Sequence, residues 1–146
     1  MGLQVINRNG EKEDVRFDAI LERLTALCVG LDTNWVDPAH VTKLVIEGLY
    51  DGVTTRELDE LAAETAAALA GDHPDYSRFA ARICVDDLHR STKDVFSEVI
   101  ADLRDFVDSE SGEHAPLISE EIYQVVMKNK DYLDSIINYD RDYNYD

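Results

Sequence analysis

The stretch Val5-Ile6-Asn7-Arg8-Asn9-Gly10-Glu11-Lys12-Glu13-Asp14-Val15-Arg16-Phe17-Asp18-Ala19 decides how the N-terminal part of the chain folds. At its centre, Asn9-Gly10 is the strongest short hairpin signal, because a type I′ turn needs positive φ at both central residues. A helical pattern follows directly, with Asp18 placed to cap it. The stretch therefore predicts a β-hairpin folded over a helix N-terminus, where free backbone N–H groups and the helix dipole attract anions.

The composition narrows the classes of partner. The 146 residues are 45% hydrophobic and 31% charged, which predicts a folded chain rather than a disordered one. A formal net charge of −17 argues against a general nucleic-acid-binding surface, which needs a basic footprint. It leaves a nucleotide site open, because a few basic residues can be concentrated in one pocket. No apolar run approaches the roughly 20 residues of a membrane span, so no membrane partner is predicted.

The cysteines and histidines give no sign of a metal site. Cys28 and Cys84 are far apart, lack CxxC spacing and fall within apolar helical patterns, so we expect two buried thiols. The four histidines are not clustered, and zinc needs clustered ligands. No signal peptide is visible, so we expect a reducing compartment, cytosolic or nuclear, and predict the cytoplasm.

Apolar residues at helical spacing predict four helices after the hairpin. Each pattern has a start or stop signal of a known kind: a terminal glycine, a capping residue or a capping box. The four patterns are Ile20 to Leu31 ending at Gly30, Val41 to Leu49 after Asp37-Pro38, Leu58 to Leu69 behind the capping box of Thr54 and Glu57, and Tyr76 to Leu88. Together they predict a mainly α domain over residues 1–92, with the hairpin as a lid on a four-helix cluster.

A second helical region is predicted over residues 93–146. Residues 93–107 carry another amphipathic pattern, residues 108–116 are polar and typical of a linker, and a sixth helix begins after Ser119. A short seventh helix is predicted over residues 131–137. Residues 138–146 show neither a period nor a cap, and we interpret them as chain that ends before its partner structure begins.

Four residues are candidates for binding an anionic ligand: Arg8 in the hairpin, and Thr55, Asp59 and Arg90 on the later helices. The planar guanidinium of Arg8 suits phosphate oxygens, although an arginine beside a turn is also commonly a solvated surface residue. Thr55 and Asp59 are one helical turn apart, so they share a face and suit ribose hydroxyls or a base edge, unless Asp59 is one more exposed acid. Arg90 closes the fourth helix, where a cation also simply complements the dipole. No Walker loop, nucleotide-binding GxGxxG or catalytic triad occurs.

The sequence also resembles a known protein family. Five segments carry the similarity: Val5 to Gly10, Val15 to Asp18, Tyr50 to Asp59, His73 to Tyr76 and Ala80 to Ile83. They resemble the ATP-cone, and in particular the N-terminus of the large subunit of class I ribonucleoside-diphosphate reductase. The segments Val95 to Ser97, Asn129 to Asp131 and Asn138 to Tyr143 extend the resemblance into the helical region of that subunit. It therefore covers essentially the whole chain.

The resemblance implies an allosteric regulatory role. In that family the cone binds ATP, which permits activity, or dATP, which stops it through changes in subunit assembly. The implied partners are ATP or dATP, with Mg²⁺ as an accompanying ion, the rest of the large subunit, further copies through the cone, and the small radical-generating subunit. The radical chemistry uses a catalytic barrel further along the family's chain, so this chain alone is predicted to be non-catalytic.

By position, the resemblance implies a set of nucleotide contacts. They are Asn7, Arg8, Glu13, Asp14, Val15, Arg16, Phe17, Asp18, Ala19, Thr55, Asp59 and Arg90. Arg8, Thr55 and Asp59 match the family in kind, and Glu13 is expected near the adenine. Asn7 and Ala19 stand where the family usually has lysine, and losing two charged hydrogen bonds of about 1.5–3 kcal/mol each would weaken binding about a hundredfold or more.

Two alternatives follow from the same residues. A cone that has lost its nucleotide could act only as a subunit-assembly module, which Asn7 and Ala19 would favour. A cone-bearing transcriptional regulator is the other, but such proteins carry a zinc ribbon built from paired CxxC motifs. This chain has none, and its charge of −17 opposes contact with DNA.

Overall fold

The computed structural model describes residues 3–144, which form two compact units, residues 3–88 with 142–144 and residues 89–141. The chain contains three strands, seven α-helices and two 3₁₀ segments within the described range. In order they are β1 (Gln4–Ile6), β2 (Lys12–Asp14), α1 (Phe17–Leu27), α2 (Pro38–Gly48), β3 (Val53–Thr54), α3 (Thr55–Ala68), a 3₁₀ turn (Leu69–Gly71), α4 (Asp75–Ser91), α5 (Phe96–Arg104), α6 (Glu120–Lys128), α7 (Lys130–Ile136) and a 3₁₀ segment (Tyr139–Asn144). The mainly α fold with an N-terminal hairpin is confirmed.

The hairpin belongs to a three-stranded sheet with the order β2-β1-β3. Strands β1 and β2 are antiparallel, with Val5 opposite Glu13, whereas β1 and β3 are parallel, with Val5 opposite Val53. Both valines are buried, so the sheet faces the helices through β1 and β3. The sequence did not predict β3, because two residues are too few to show an alternating pattern.

The turn of the hairpin differs from the predicted type I′. The only positive φ in it is +82° at Gly10, and no non-glycine residue in the described range has positive φ. The backbone N–H of Gly10 donates to the carbonyl of Asn7 at 2.9 Å. Arg8 and Asn9 are therefore the central residues of a type I turn, followed by a left-handed glycine, which is a common hairpin solution for longer loops.

The start of α1 also corrects the prediction. The helix begins at Phe17 and its N-cap residue is Arg16, which makes no side-chain capping hydrogen bond. Asp18 lies in the first turn instead, where its charge still complements the dipole. The helix ends at Leu27, earlier than the apolar spacing predicts, yet Cys28 and Leu31 remain buried because the turn that follows keeps them on the core side.

The other caps of the first unit are confirmed. The Asp37 carboxylate accepts from the backbone N–H of Ala39 at 2.8 Å, ahead of Pro38 at the first helical position of α2. Thr54 and Glu57 form a reciprocal capping box at the start of α3. These local contacts fix where α2 and α3 begin. They therefore also fix the position of Asp59 in the second turn of α3.

One apolar core lies between the sheet and helices α1 to α4. Its largest fully buried apolar side chains are Phe79, Leu24, Ile83, Val41 and Val45. Small residues of α3, such as Ala62 and Ala66, let neighbouring helices approach closely. Two predictions on α4 are wrong, because Cys84 and Leu88 are exposed rather than part of the buried stripe. The stripe ends about one turn earlier than the sequence pattern indicates.

The second unit contains α5, α6 and α7. Helix α5 covers Phe96–Arg104, within the predicted 93–107, and α6 begins after Ser119, whose hydroxyl accepts from the N–H of Ile122. The predicted linker is an ordered loop: the Asp108 carboxylate accepts from the N–H groups of Glu110 and Ser111, and those hydrogen bonds lower its pKa. The final segment, expected without structure, forms a 3₁₀ turn over Tyr139–Asn144.

Candidate functional site

The turn of the hairpin presents Arg8, while Asn7 holds the turn together. The side-chain oxygen of Asn7 accepts hydrogen bonds from the backbone N–H groups of Asn9 and Glu11, both at 3.0 Å. Its side-chain nitrogen donates to the Glu11 carboxylate at 3.3 Å. An asparagine that bonds its own turn in this way stabilises the local bend. Asn7 therefore contributes to the shape of the lid from which Arg8 projects.

Asp59 on α3 is a buried carboxylate shared by two arginines. Its side chain is 0% exposed. Oδ2 lies 3.1 Å from Nη2 of Arg8, and Oδ1 lies 2.5 Å from Nη1 of Arg23 on α1. A buried carboxylate is costly unless it is paired and hydrogen-bonded, so the two guanidinium groups stabilise its charge. This contact joins the lid, α1 and α3 at one point.

The end of α4 adds two more carboxylates to the same cluster. Oδ1 of Asp87 lies 2.6 Å from Nη2 of Arg8, and Oδ2 of Asp86 lies 2.8 Å from Nε of Arg23. Both aspartate side chains are partly exposed, at 22% for Asp87 and 19% for Asp86. Each arginine therefore bridges a buried carboxylate on α3 and a more exposed one on α4. We call these five residues the Arg8–Arg23 cluster.

Arg23 also carries an unsatisfied donor. In the described part of the chain, its Nη2 is the buried side-chain nitrogen that lacks a hydrogen-bond partner. An unpaired buried donor costs about 1–3 kcal/mol, more for a charged group. This donor is a local cost of holding the Arg23 guanidinium between Asp59 and Asp86.

The junction between the lid and α1 faces solvent over most of its length. Its exposed members are Glu13, Asp14, Arg16, Phe17, Asp18 and Ala19, and Val15 alone is half-buried, with its N–H donating to the carbonyl of Leu3. Phe17 exposes 46% of its surface, which is high for a residue of its size. In residues 3–144, Glu13, Phe17 and Ala19 make no hydrogen bond to the cluster. The structure thus places these predicted contacts beside the helix start rather than in the ion-pair network.

Arg16 and Asp18 pair with each other at that junction. Nη2 of Arg16 lies 2.7 Å from Oδ2 of Asp18, and both side chains are more than two-thirds exposed. The hydrogen bond raises the pKa of Arg16 and lowers the pKa of Asp18. The Arg16 side chain does not cap α1, and the Asp18 carboxylate in the first turn accepts backbone hydrogen bonds from Ala19 and from its own N–H instead.

The remaining predicted contacts lie on α3 and α4. Thr55 is the first residue of α3 and is half-buried, one turn before Asp59 on the same helix face. Arg90 lies in the last turn of α4, where its charge complements the helix dipole. The structure thus brings Arg8 and Asp59 into direct contact with each other. Thr55 lies one helical turn from Asp59. It also places Arg90 beyond residue 88, where the first compact unit leaves α4.

The sequence interpretation missed Arg23, Asp86 and Asp87. A signal was present, because Arg23 follows Ile20 by three residues and therefore shares the core-facing side of α1. Asp86 and Asp87 likewise follow the buried Ile83 by three and four residues on α4. Charged residues at core-facing spacing on two helices indicate a buried ion-pair cluster. What the sequence could not supply was which acid meets which arginine.

The first unit also contains a cavity away from the Arg8–Arg23 cluster, beside the C-terminal end of α1. It has a volume of about 250 Å³ and is lined by Ala26, Leu27, Val29, Arg82 and Tyr143. Nη1 of Arg82 donates to the carbonyls of Leu27 and Val29, so this guanidinium satisfies groups at the end of α1. None of its lining residues belongs to the predicted site. In the described chain, no group of three or more His, Cys, Asp or Glu side chains is arranged to hold a metal ion.

The part of the chain that holds this cluster matches a known domain family. The ATP cone domain matches residues 3–91, from the hairpin to the end of α4. The chain belongs to the ATP-cone family. ATP-cone domains bind nucleotide effectors, so residues 3–91 form a domain of a nucleotide-binding class. Among residues 3–144, no helix combines the length and hydropathy that crossing a membrane requires.

Large subunits of ribonucleoside-diphosphate reductases are among the proteins similar to this chain. Ribonucleoside-diphosphate reductase large chain 2 of Saccharomyces cerevisiae is 53% identical over 143 residues, which are 98% of this chain and 16% of the yeast protein. The large chain of Schizosaccharomyces pombe is also 53% identical, and the large subunit of Danio rerio 52%, with 17% and 18% of their lengths covered. The chain thus spans less than a fifth of these relatives. The matches do not favour the transcriptional or assembly-only alternatives.

Proposed function

We propose that the cone binds ATP or dATP and is the allosteric regulatory segment of a ribonucleoside-diphosphate reductase large subunit. The contact that carries the proposal joins Arg8 on the lid to Asp59 on α3, 51 residues away in the sequence. It holds a guanidinium, which suits phosphate oxygens, 3.1 Å from a carboxylate, which suits hydroxyl groups. In this proposal nucleotide occupancy regulates deoxyribonucleotide synthesis by the whole subunit.

Arg8 is assigned to the triphosphate. Both of its contacts to carboxylates use Nη2, and its Nε and Nη1 make no hydrogen bond to a described residue. Its side chain is 28% exposed, so those two nitrogens can bind an anion without leaving Asp59. Arg90, in the last turn of α4, stays a proposed nucleotide contact, and Mg²⁺ is expected to accompany the nucleotide.

Asp59 and Thr55 are assigned to the ribose. A carboxylate accepts hydrogen bonds from hydroxyl groups, and the neighbouring threonine both donates and accepts. ATP and dATP differ by one ribose hydroxyl, so an acceptor at this position can distinguish them. Glu13 is assigned to the adenine, and the other proposed contacts line the junction: Asn7, Asp14, Val15, Arg16, Phe17, Asp18 and Ala19.

Calorimetric titration of the chain with ATP and dATP tests this assignment. We expect saturable binding of both, and Arg8→Gln should weaken it about tenfold to a hundredfold, as expected for losing a charge-assisted hydrogen bond. Arg56→Gln is the matched control, because Arg56 is an exposed arginine paired only with the adjacent turn of α3 at Glu60. No heat at millimolar nucleotide from folded protein would contradict the proposal.

Asp59→Asn separates recognition of the ribose from general affinity. The amide keeps the size of the carboxylate and one acceptor oxygen but loses the charge. We expect the ratio of the ATP and dATP dissociation constants to change. An unchanged ratio, with both affinities altered equally, would remove Asp59 from the ribose and leave it a purely structural role.

The proposed partners follow from the same assignment. They are the rest of the large subunit, further copies through the cone, and the small radical-generating subunit. Sedimentation with and without nucleotide tests the contact between copies. The boundary between residues 92 and 93 and the cytoplasmic location stay predictions, supported by the family match ending at residue 91 and by two free cysteines.

A further inference from the structure

The positive charge of Arg8 is already paired with carboxylates of the protein itself. Its Nη2 contacts Asp59 at 3.1 Å and Asp87 at 2.6 Å, and the shorter contact is to the residue on α4. The guanidinium assigned to the triphosphate is therefore already neutralised from two sides.

An anion that approaches Arg8 also meets like charges in the Arg8–Arg23 cluster. The carboxylates of Asp59 and Asp87 contact Arg8, and those of Asp59 and Asp86 contact Arg23. A nucleotide triphosphate brings several negative charges of its own, so its phosphates are attracted by the arginines and repelled by these carboxylates.

The carboxylates differ in how much it costs to separate each of them from its arginine partner. The Asp59 side chain is fully buried and holds both arginines, so its displacement would leave a buried charge unpaired. The Asp87 side chain is 22% exposed and lies at the end of α4. Ion pairs at partly exposed positions contribute little to stability, so water can replace Arg8 as a partner of Asp87 at small cost.

We propose that Asp87 competes with the phosphates of the nucleotide for Arg8 and thereby sets the affinity of the cone. The inference rests on the proposed function and adds a residue that determines affinity. Binding in this scheme exchanges the Arg8–Asp87 contact for an Arg8–phosphate contact, while Arg8–Asp59 is kept. Removing the charge of Asp87 should therefore strengthen binding, which is the opposite of what removing a ligand contact does.

The decisive variant is Asp87→Asn in the full chain, titrated with ATP in a calorimeter. We expect the dissociation constant to fall about threefold to fivefold, near the upper end of what one partly exposed ion pair contributes. Glu64→Gln is the matched control: it removes one negative charge from an exposed position on α3 and should change affinity less than twofold. Circular dichroism and thermal melting verify folding, and Asp87→Ser serves as a second variant.

A double-mutant cycle tests whether the effect passes through Arg8. In an Arg8→Gln background, Asp87→Asn should no longer tighten binding by the same factor, whereas a general change of charge would persist. If the original chain binds ATP and Asp87→Asn binds equally or more weakly, the competition is refuted and the proposed function stands. If neither protein binds, both proposals fall. Binding by Asp87→Asn alone would support both.

Discussion

Nη1 of Arg23 lies 2.5 Å from Oδ1 of Asp59, and this contact joins α1 to α3 across 36 residues of sequence. Asp59 is at once the most buried acid of the first unit and a proposed ribose contact. Because Asp59 is buried and joins two helices, a substitution there would change both the proposed ribose contact and the stability of the domain. Variants of Asp59 therefore need a stability measurement beside any binding measurement.

Asp59→Ala should destabilise the chain strongly. Breaking a buried ion pair on one side costs about 3–5 kcal/mol, and we expect about 3 kcal/mol because Arg8 and Arg23 keep Asp87 and Asp86 as partners. Urea unfolding followed by circular dichroism measures it. Glu64→Ala, at an exposed position of the same helix, should stay within about 0.5 kcal/mol. A loss below about 1 kcal/mol for Asp59→Ala would contradict the role of its burial.

Thr54→Ala tests the capping box of α3. The Thr54 hydroxyl accepts from the N–H of Glu57 at 3.2 Å, and the Glu57 carboxylate accepts from the N–H of Thr54 at 2.8 Å. Losing a side-chain N-cap costs about 1 kcal/mol, and the same urea experiment detects it. Thr65→Ala serves as a comparison in the helix interior, since its hydroxyl bonds only the preceding turn at Leu61. Equal losses at both positions would argue against a specific capping effect.

The same box predicts a pH dependence. The backbone hydrogen bond from Thr54 is the largest of the contacts that lower the pKa of Glu57 from its ordinary 4.5. A lowered folded-state pKa contributes stability above the unfolded value, and that contribution is lost as the pH falls through the folded value. The stability advantage over Glu57→Gln should therefore shrink as the pH drops from 5 towards 3. An advantage independent of pH would show that the charge of Glu57 does not act in the cap.

The parts of the fold that follow from local contacts could be predicted from the sequence. Asp37 and Ser119 cap helices whose first residues follow them directly, so the signal and the structure it produces lie within three residues. The turn of the hairpin shows where this fails. Asn9-Gly10 favours a type I′ turn on propensity, but the Asn7 side chain bonds two N–H groups of the loop and selects a type I turn instead.

The candidate site could be predicted only in part, because its members meet through tertiary packing. Arg8 and Asp59 were found through resemblance and residue chemistry. Arg23 and Asp87 were missed, since no local pattern tells which of 31 acidic residues faces which arginine. Strand β3 was missed for the related reason that it exists by pairing with β1, Val5 with Val53 and Ile6 with Thr54, rather than by a pattern in its own sequence.

Asp134 provides a test in the second unit. Its carboxylate on α7 accepts from both the N–H and the hydroxyl of Ser97, at 2.8 and 2.7 Å, and thereby caps the first turn of α5, whose N-cap residue Val95 has no side-chain cap. Asp134→Ala leaves these buried donors unsatisfied, at a cost of about 1–3 kcal/mol. Hydrogen exchange should show faster exchange at the start of α5, with Glu113→Ala as an exposed control. Unchanged protection of α5 would contradict this capping role.

The two thiols should react very differently, because Cys84 is exposed on α4 and Cys28 is buried after α1. Burial raises the pKa of the Cys28 thiol to about 11, so at pH 8 only about one molecule in a thousand carries the reactive thiolate there. A chromogenic disulfide reagent should therefore titrate one fast thiol per folded chain, and both thiols in strong denaturant. Cys84→Ser should abolish the fast reaction and Cys28→Ser should leave it intact. Two fast thiols in the folded chain would mean that the core around Cys28 opens on the timescale of labelling, and none would mean that Cys84 is covered in solution.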